Sequence, residues 1–439
     1  MMASAERDVA QGWTPTPFTR FTVCTNRRTQ CKIMLLSLVS RDGRGGSVKV
    51  PENALLPLFE RQTEYFDYFE GSDQQVQHLQ EKKLKAGLQK TYLLETVDSG
   101  RASERPTIPQ IFDRSDLRAV ALNADSNTYL LSMRDGAQVA LLEEVDARYL
   151  ALYTLLPSNQ SDQLVNSAVT VNPFLDHLWL SSQSFLALWS QVLQNNSGRR
   201  YGKMTFEHES LYEVPEAEEG EYLPEERRTS RFTMVDRLEV INQKMNPLQE
   251  QYAPLASITQ LRIPGQGRGG HDLYYDGKLT NRSDSFKDHR ATLYGVTELY
   301  RALTRRVEEQ LWISGSGSAL GAQNFGSVAE IIFSKSLPED VFKRWIINLF
   351  NNRRNRFRIT GYPTWLGETK VHANAIDQHL WQPIVLELTT ERVIAILPHG
   401  TCGNSINRLV SNIQRYIDPK VKAYIGDIEY GSLIEDVAV

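Results

Sequence analysis

Two spacings organise the apolar residues of this chain. One is alternation with polar neighbours, which suits a strand with a buried face; the other is recurrence every three or four residues, which suits a helix. Near the start, "FTRFTVCT" and "CKIMLLSLV" flank a polar turn containing Asn26 and predict a hairpin. Leu55, Leu58, Phe59, Phe66 and Phe69 follow at partly helical spacing, with the helix starting near Pro57. The polar, helix-forming stretch 73–90 predicts a surface helix. "LRAVALNA", "NTYLLSM" and "AQVALLEEV", parted by Asp-Ser-Asn and Asp-Gly turns, read as an antiparallel meander. A leucine- and tryptophan-rich helix over 183–194 and a strand at "GKMTFEHE" come next.

The second half carries a longer stripe. Leu293, Val296, Tyr300, Leu303, Val307 and Leu311 share one face of a helix expected over 290–313. "SGSGSALGAQNFGS" then reads as a flexible linker before the strand "AEIIFSK". Ser336 and Glu339 have capping-box spacing ahead of a helix whose face is Phe342, Trp345, Ile346 and Leu349. Strands at "NRFRITG", "TKVHANAI", "IVLELT" and "RVIAILP" lead to a final helix and a last strand, "KAYIGDI". Strands close in sequence with helices between some of them give an α+β class, with mixed helices, mainly antiparallel sheets and at least two domains.

Composition changes this picture at one place. "YEVPEAEEGEYLPEERRTS" packs glutamates with two prolines and has no hydrophobic period. The expected division is therefore an N-terminal α+β domain over 1–208, an acidic linker or solvated loop over 209–230, and a C-terminal α+β domain over 231–439. Hydrophobic residues make up 41% of the 439 and charged residues 23%, which is ample for a folded core. The formal net charge of −4 supplies no global field toward nucleic acid or membrane, so any such attraction is local. Three cysteines, Cys24, Cys31 and Cys402, without CxxC spacing, and a start lacking an apolar signal core, point to a cytoplasmic protein. Apolar runs are strand-length, so no membrane partner is expected.

Four places carry candidate chemistry. In "ILPHGTCGNSINRLVSNIQRYI" a strand, a glycine-bearing loop and a helix follow one another, so Gly400, Cys402, Gly403 and Ser405 form a candidate thiolate and phosphate cradle at a helix start. Arg408 completes C-x5-R spacing, and over these few residues the loop resembles the cysteine phosphatases, in which thiolate and guanidinium grip one phosphoryl group. It departs from them in lacking a mid-loop glycine and a histidine directly before the cysteine, His399 lying three positions earlier. A helical wheel buries Ile406, Leu409, Val410, Ile413 and Ile417, turns Arg408 to solvent and points Cys402 at the core.

Asp377 and Glu387 on adjoining strands are a candidate Mg²⁺ pair of the kind found in PD-(D/E)xK nucleases, although Leu388 and Thr389 follow where those sites have lysine. His372, Asp377 and His379 are an alternative transition-metal set, but the spacing gives no clear third ligand, so no metal and no cofactor are expected. The G-x-G-x-x-G at Gly265, Gly267 and Gly270 feeds the strand-like "HDLYYDG" rather than a helix, and reads as a hairpin or loop.

The fourth place is "NNRRNRFRI". Alternation sends Arg356 and Arg358 to the face opposite Phe357 and Ile359, so Arg353, Arg354, Arg356 and Arg358 are expected to form one exposed cluster, with Arg305 and Arg306 on the long helix. Arg199, Arg200 and Lys203, and Arg227, Arg228 and Arg231, are smaller clusters. Guanidinium suits phosphate in charge and geometry. The expectation is a binding or assembly component contacting a nucleic-acid backbone or an acidic protein. The competing class is a phosphate-ester hydrolase or nuclease using Cys402 or the Asp377/Glu387 pair.

Overall fold

The computed structural model describes residues 88–97, 106–122, 127–210, 212, 229–283, 285–318, 321–350 and 356–438. The hairpin, the helix near Pro57 and all but the end of the surface helix expected over 73–90 lie outside these residues, with Cys24, Cys31, Arg353 and Arg354; at 88–90 the chain is buried and not helical, Lys90 opening the first strand.

In chain order the elements are β1 (Lys90–Glu95), α1 (Ile108–Phe112), β2 (Leu117–Ala121), β3 (Thr128–Met133), β4 (Gln138–Glu144), β5 (Tyr149–Thr154), α2 (Ser158–Val171) and β6 (Asp176–His177). Then come α3 (Ser182–Asn195), β7 (Tyr201–Glu209), β8 (Thr229–Arg237), α4 (Leu238–Gln251), β9 (Ile258–Pro264), β10 (Gly270–Tyr274) and β11 (Lys278–Asn281). The 26-residue α5 (Phe286–Leu311), β12 (Ser314–Ser318), β13 (Gly321–Phe325), β14 (Ala329–Ile332) and α6 (Glu339–Leu349) follow. The chain closes with β15 (Ile359–Trp365), β16 (Lys370–Asp377), β17 (Gln382–Thr389), β18 (Arg392–Ile396), α7 (Asn404–Tyr416), β19 (Lys422–Ile425), β20 (Ile428–Glu429) and α8 (Tyr430–Ala438).

The α+β class holds. Among the described residues an 11-stranded antiparallel sheet runs β2-β3-β4-β5-β1-β11-β10-β9-β7-β8, with β6 beside β1, and a 7-stranded one runs β15-β16-β17-β18-β14-β19-β20. The meander of β2, β3 and β4 is as its alternation and turns predict. In β5, Leu150 and Leu152 join the core under α1 and α2, while Tyr149, Ala151 and Tyr153 join the core under α3, α4 and α5. The first sheet is therefore covered on both faces along this part.

Sheet topology places the acidic segment differently from its composition. Glu209 and Thr229 are register partners, and β7 and β8 pair along nine residues of a single sheet. The segment 209–230 thus joins neighbouring strands, and the first sheet continues to Asn281. Charge and proline content do not say whether the ends of such a segment diverge.

The long helix unites the two layers. Leu293, Val296, Leu299 and Tyr300 of α5 pack in the first sheet's core, and Leu303, Val307 and Leu311 in the second's. Beyond α5, the Gly/Ser stretch is the hairpin β12–β13 and not a linker, since backbone pairing needs no apolar face. Helix α6 buries the predicted Phe342, Trp345, Ile346 and Leu349, but Pro338 occupies its N-cap and no side chain caps it; Ser336 does not. Strand β15 begins at Ile359 because Arg358 adopts φ 54°, which breaks the alternation read from "RFRI". The glycine motif at 265–270 is the β9–β10 turn. There Gly269 has φ 78°, and a Cβ would lie 1.9 Å from the Arg282 carbonyl oxygen. No helix among the described residues is long and apolar enough to cross a membrane.

Candidate functional site

Helix α7 lies between the layers, buried on all sides. Ile406, Leu409, Val410 and Ile413 enter the core of the second sheet. Its polar face docks on the first layer: Ser411 Oγ donates to Leu180 O at 3.1 Å, Gln414 Oε1 accepts from Ser182 N at 2.9 Å, and Asn404 Nδ2 donates to His177 O at 3.2 Å. This overturns the solvent-facing placement of Arg408, which is fully buried. Its guanidinium bonds Asp176 of β6 through Nη1, Asp377 of β16 through Nη2 at 2.5 Å, and Phe357 O through Nε at 2.7 Å. Burial alone would raise the Asp176 carboxyl, but Arg408 and then Arg358 outweigh it and hold it well below the usual carboxylate range. A helical wheel identifies a polar face but cannot tell water from a neighbouring carboxylate.

The loop entering α7 brings three elements together. Glu95 ends β1, Cys402 precedes α7 and His379 sits in the β16–β17 turn. A carboxylate oxygen, an imidazole nitrogen and the thiol sulfur of these residues lie within 4.8 Å of one another, and all three residues are buried. Cys402 Sγ is 3.2 Å from Glu95 Oε1. Gln382 fixes the loop, its Nε2 donating to Gly400 O at 3.1 Å and its Oε1 accepting from Cys402 N at 2.7 Å. The His379 amide donates to Asp377 Oδ1 at 2.8 Å. Arg148 closes one side: Nη2 is 2.5 Å from Glu95 Oε1 and 3.4 Å from Sγ, while Nη1 and Nη2 reach Glu308 at 3.2 and 2.7 Å.

Burial disfavours charge on each member of the centre. Burial pushes the Cys402 thiol well above its ordinary value, with Glu95 adding to the effect, and pushes the Glu95 carboxyl up against the pull of Arg148. Burial holds the His379 imidazole down, to about 4. Neither ring nitrogen of His379 has a hydrogen-bond partner, and Glu95 Oε2 has none. The helix start is also not an open phosphate cradle, because Glu308 Oε1 already accepts from Gly403 N at 2.9 Å. A Cβ at Gly403 would lie 2.8 Å from Thr304 O, so this approach needs glycine.

The other expected sites come apart. Asp377 pairs across the sheet with Gln382, whereas Glu387 pairs with His372, five residues or about 17 Å along β16. Asp377 is on the buried face and Glu387 on the outer face with His372 at 2.6 Å and Lys370 at 2.9 Å, so the carboxylates hold no common ion. For the same reason His372 does not join Asp377 and His379. Of the arginine cluster, Arg358 is buried and bonds Leu175 O at 2.7 Å and Asp176 at 3.2 Å, while Arg356 stacks on Tyr416. Arg305 and Arg306 are exposed, in a shallow depression shared with Glu298, Arg301 and Glu309. Glu95, Arg148 and Asp176 are not among the expected site residues; Glu95 ends an apolar strand and Arg148 immediately precedes one, and that adjacency is the available signal.

A basic row does exist elsewhere. Cross-strand register aligns Lys203, Arg262, Asp272, Thr280 and Lys90 on one face of the first sheet. Arg262 and Arg282 both grip the buried Asp272, at 2.7 and 2.5 Å, with about a third of each arginine side chain exposed. Burial, then neighbouring Lys278, lowers Lys90 to about 8.

The MJECL33-like family matches residues 61–430, and the chain belongs to it. An uncharacterised protein of Methanocaldococcus jannaschii, MJECL33, is 24% identical over 324 residues, spanning 66% of this chain and 76% of the relative. No solved structure matches.

Proposed function

We propose that this protein is a cytoplasmic phosphate-ester hydrolase with its chemical centre at Glu95, His379 and Cys402. One observation carries the reading: a fully buried imidazole without hydrogen-bond partners faces a thiol and a carboxylate. Unpaired buried polar groups cost about 1–3 kcal/mol each, and such costs gather where chemistry is done. A neutral imidazole is a base, a thiol is a nucleophile or metal ligand, and Arg148 beside Sγ is a partner for phosphoryl oxygens. Chemistry there requires the junction to open, since all three side chains are buried.

The test is cleavage of bis-p-nitrophenyl phosphate and of labelled single- and double-stranded DNA and RNA. The expected result is turnover that falls about 100-fold or more in His379→Ala. No cleavage of any probe, or cleavage undiminished in the variant, refutes the proposal.

A second reading, binding to a nucleic-acid backbone or an acidic protein without cleavage, is favoured by the partly exposed cations Lys203, Arg262 and Arg282 on the first sheet, Lys90 of the same row being buried. Anisotropy across a salt series tests it: for duplex DNA the log–log slope should become shallower by about 0.9 for each phosphate that a substituted cation no longer neutralises. Salt-insensitive binding, or none, removes it.

A further inference from the structure

We infer that Glu95, His379 and Cys402 form a binding site for a thiophilic divalent cation of the zinc type at the junction of the two layers. The inference rests on the placement of the centre proposed above and names its cofactor class. Three donors of different hardness, a carboxylate oxygen, an imidazole nitrogen and a thiolate sulfur, are a set that zinc accepts and magnesium does not. Three protein ligands with a fourth position left for solvent or substrate is the pattern of catalytic rather than structural zinc.

The independent observation is the pattern of unused lone pairs. Glu95 Oε1 is taken by Arg148 and the Cys402 thiol, but Oε2 is unpartnered. Both nitrogens of the fully buried His379 ring are unpartnered as well. One ion would engage a carboxylate oxygen, one ring nitrogen and the sulfur together, the other ring nitrogen keeping its N–H. Donor atoms around zinc at 2.0–2.3 Å stand about 3.3–3.8 Å apart, so the largest separation here, within 4.8 Å, closes by at most about 1.5 Å on loading.

The surroundings fit the charge. Cys402 binds as thiolate, its proton leaving to solvent, so thiolate and Glu95 balance the ion while Arg148 and Glu308 balance each other. Gln382 and Asp377 serve as outer supports, one holding the Cys402 amide and the other the His379 amide.

The experiment is titration of the chelator-treated full chain with Co²⁺, using Cys24→Ser/Cys31→Ser so that Cys402 is the sole thiol. The expected result is saturation at about one Co²⁺ per chain, with a thiolate-to-cobalt charge-transfer band that Zn²⁺ abolishes. That band should vanish in Cys402→Ser, and affinity should fall about 10- to 100-fold in Gln382→Ala, which removes a support and no ligand. If Cys402→Ser does not fold, His379→Ala and Glu95→Gln, checked by circular dichroism, must each weaken binding at least tenfold. Absence of a saturable band, or affinity unchanged in folded His379→Ala and Glu95→Gln, overturns the inference. A saturable band without cleavage of any phosphate ester leaves the metal site standing and ends the hydrolase; cleavage unaffected by chelation does the reverse.

Discussion

Replacing Arg408 by methionine keeps much of the side-chain volume and removes a guanidinium that joins the layers. In the native protein it neutralises Asp176 and Asp377 and satisfies the Phe357 carbonyl, with no exposure to water. The variant leaves Asp377 with the Ser405 hydroxyl and the His379 amide, and Asp176 with Arg358, Trp179 and its neighbours. Removing one partner of a buried ion pair costs about 3–5 kcal/mol, because a buried charge remains uncompensated. With a urea slope of about 3 kcal/mol/M for a chain of this size, the midpoint falls by about 1–1.7 M. Tryptophan fluorescence follows both layers, since Trp189 lies in the first core and Trp345 in the second. Both should report one transition in the wild type. The double variant Asp377→Asn/Arg408→Met should recover part of the loss, because the Asp377 charge is removed with the guanidinium while Asp176 keeps Arg358. A midpoint shift below about 0.3 M in Arg408→Met, or a double variant no more stable than the single one, refutes the reasoning.

Acid provides another check. The Asp272 carboxyl is held below its ordinary range because its bonds to Arg262 and attraction to Arg282 outweigh the effect of burial, which runs the other way. Its contribution is complete above the unfolded value of about 3.9 and is lost as pH falls through the lower folded value. The difference in unfolding free energy between wild type and Asp272→Asn should therefore be constant at neutral pH and shrink below about pH 4. A difference that grows on acidification contradicts the assignment. Gly269→Ala should cost more than about 1 kcal/mol by thermal unfolding, from the positive φ and the clash with the Arg282 carbonyl. A neutral result would mean that the β9–β10 turn is not formed as described.

Much of the fold was legible because periodicity reports burial directly. The β2–β4 meander, the face of α6 and the stripe of α5 all follow from which residues avoid water. The candidate site was less legible, since its residues are polar groups buried against each other. Arg408 and Arg358 look like surface cations until Asp176, far away in sequence, is brought beside them. The thiol is visible in the loop before α7, but the sequence sets His379 beside Asp377 on a strand face, whereas it lies in the β16–β17 turn. Glu95, at the end of "KTYLLE", becomes notable only when β1 meets α7.

The sequence separations at α7 have a consequence for synthesis. Cys402 and Glu95 are 307 positions apart, and Arg408 and Asp176 are 232. Contacts this distant raise the contact order and slow folding. While the chain emerges from the ribosome, at about 5–20 residues per second, the first sheet, ending at Asn281, is made about 6–24 s before residues beyond 400 can reach it. During that interval Glu95, Arg148 and Asp176 have water in place of α7. Their charges, unfavourable in the finished interior without partners, keep that surface hydrated and resist premature association until the helix docks.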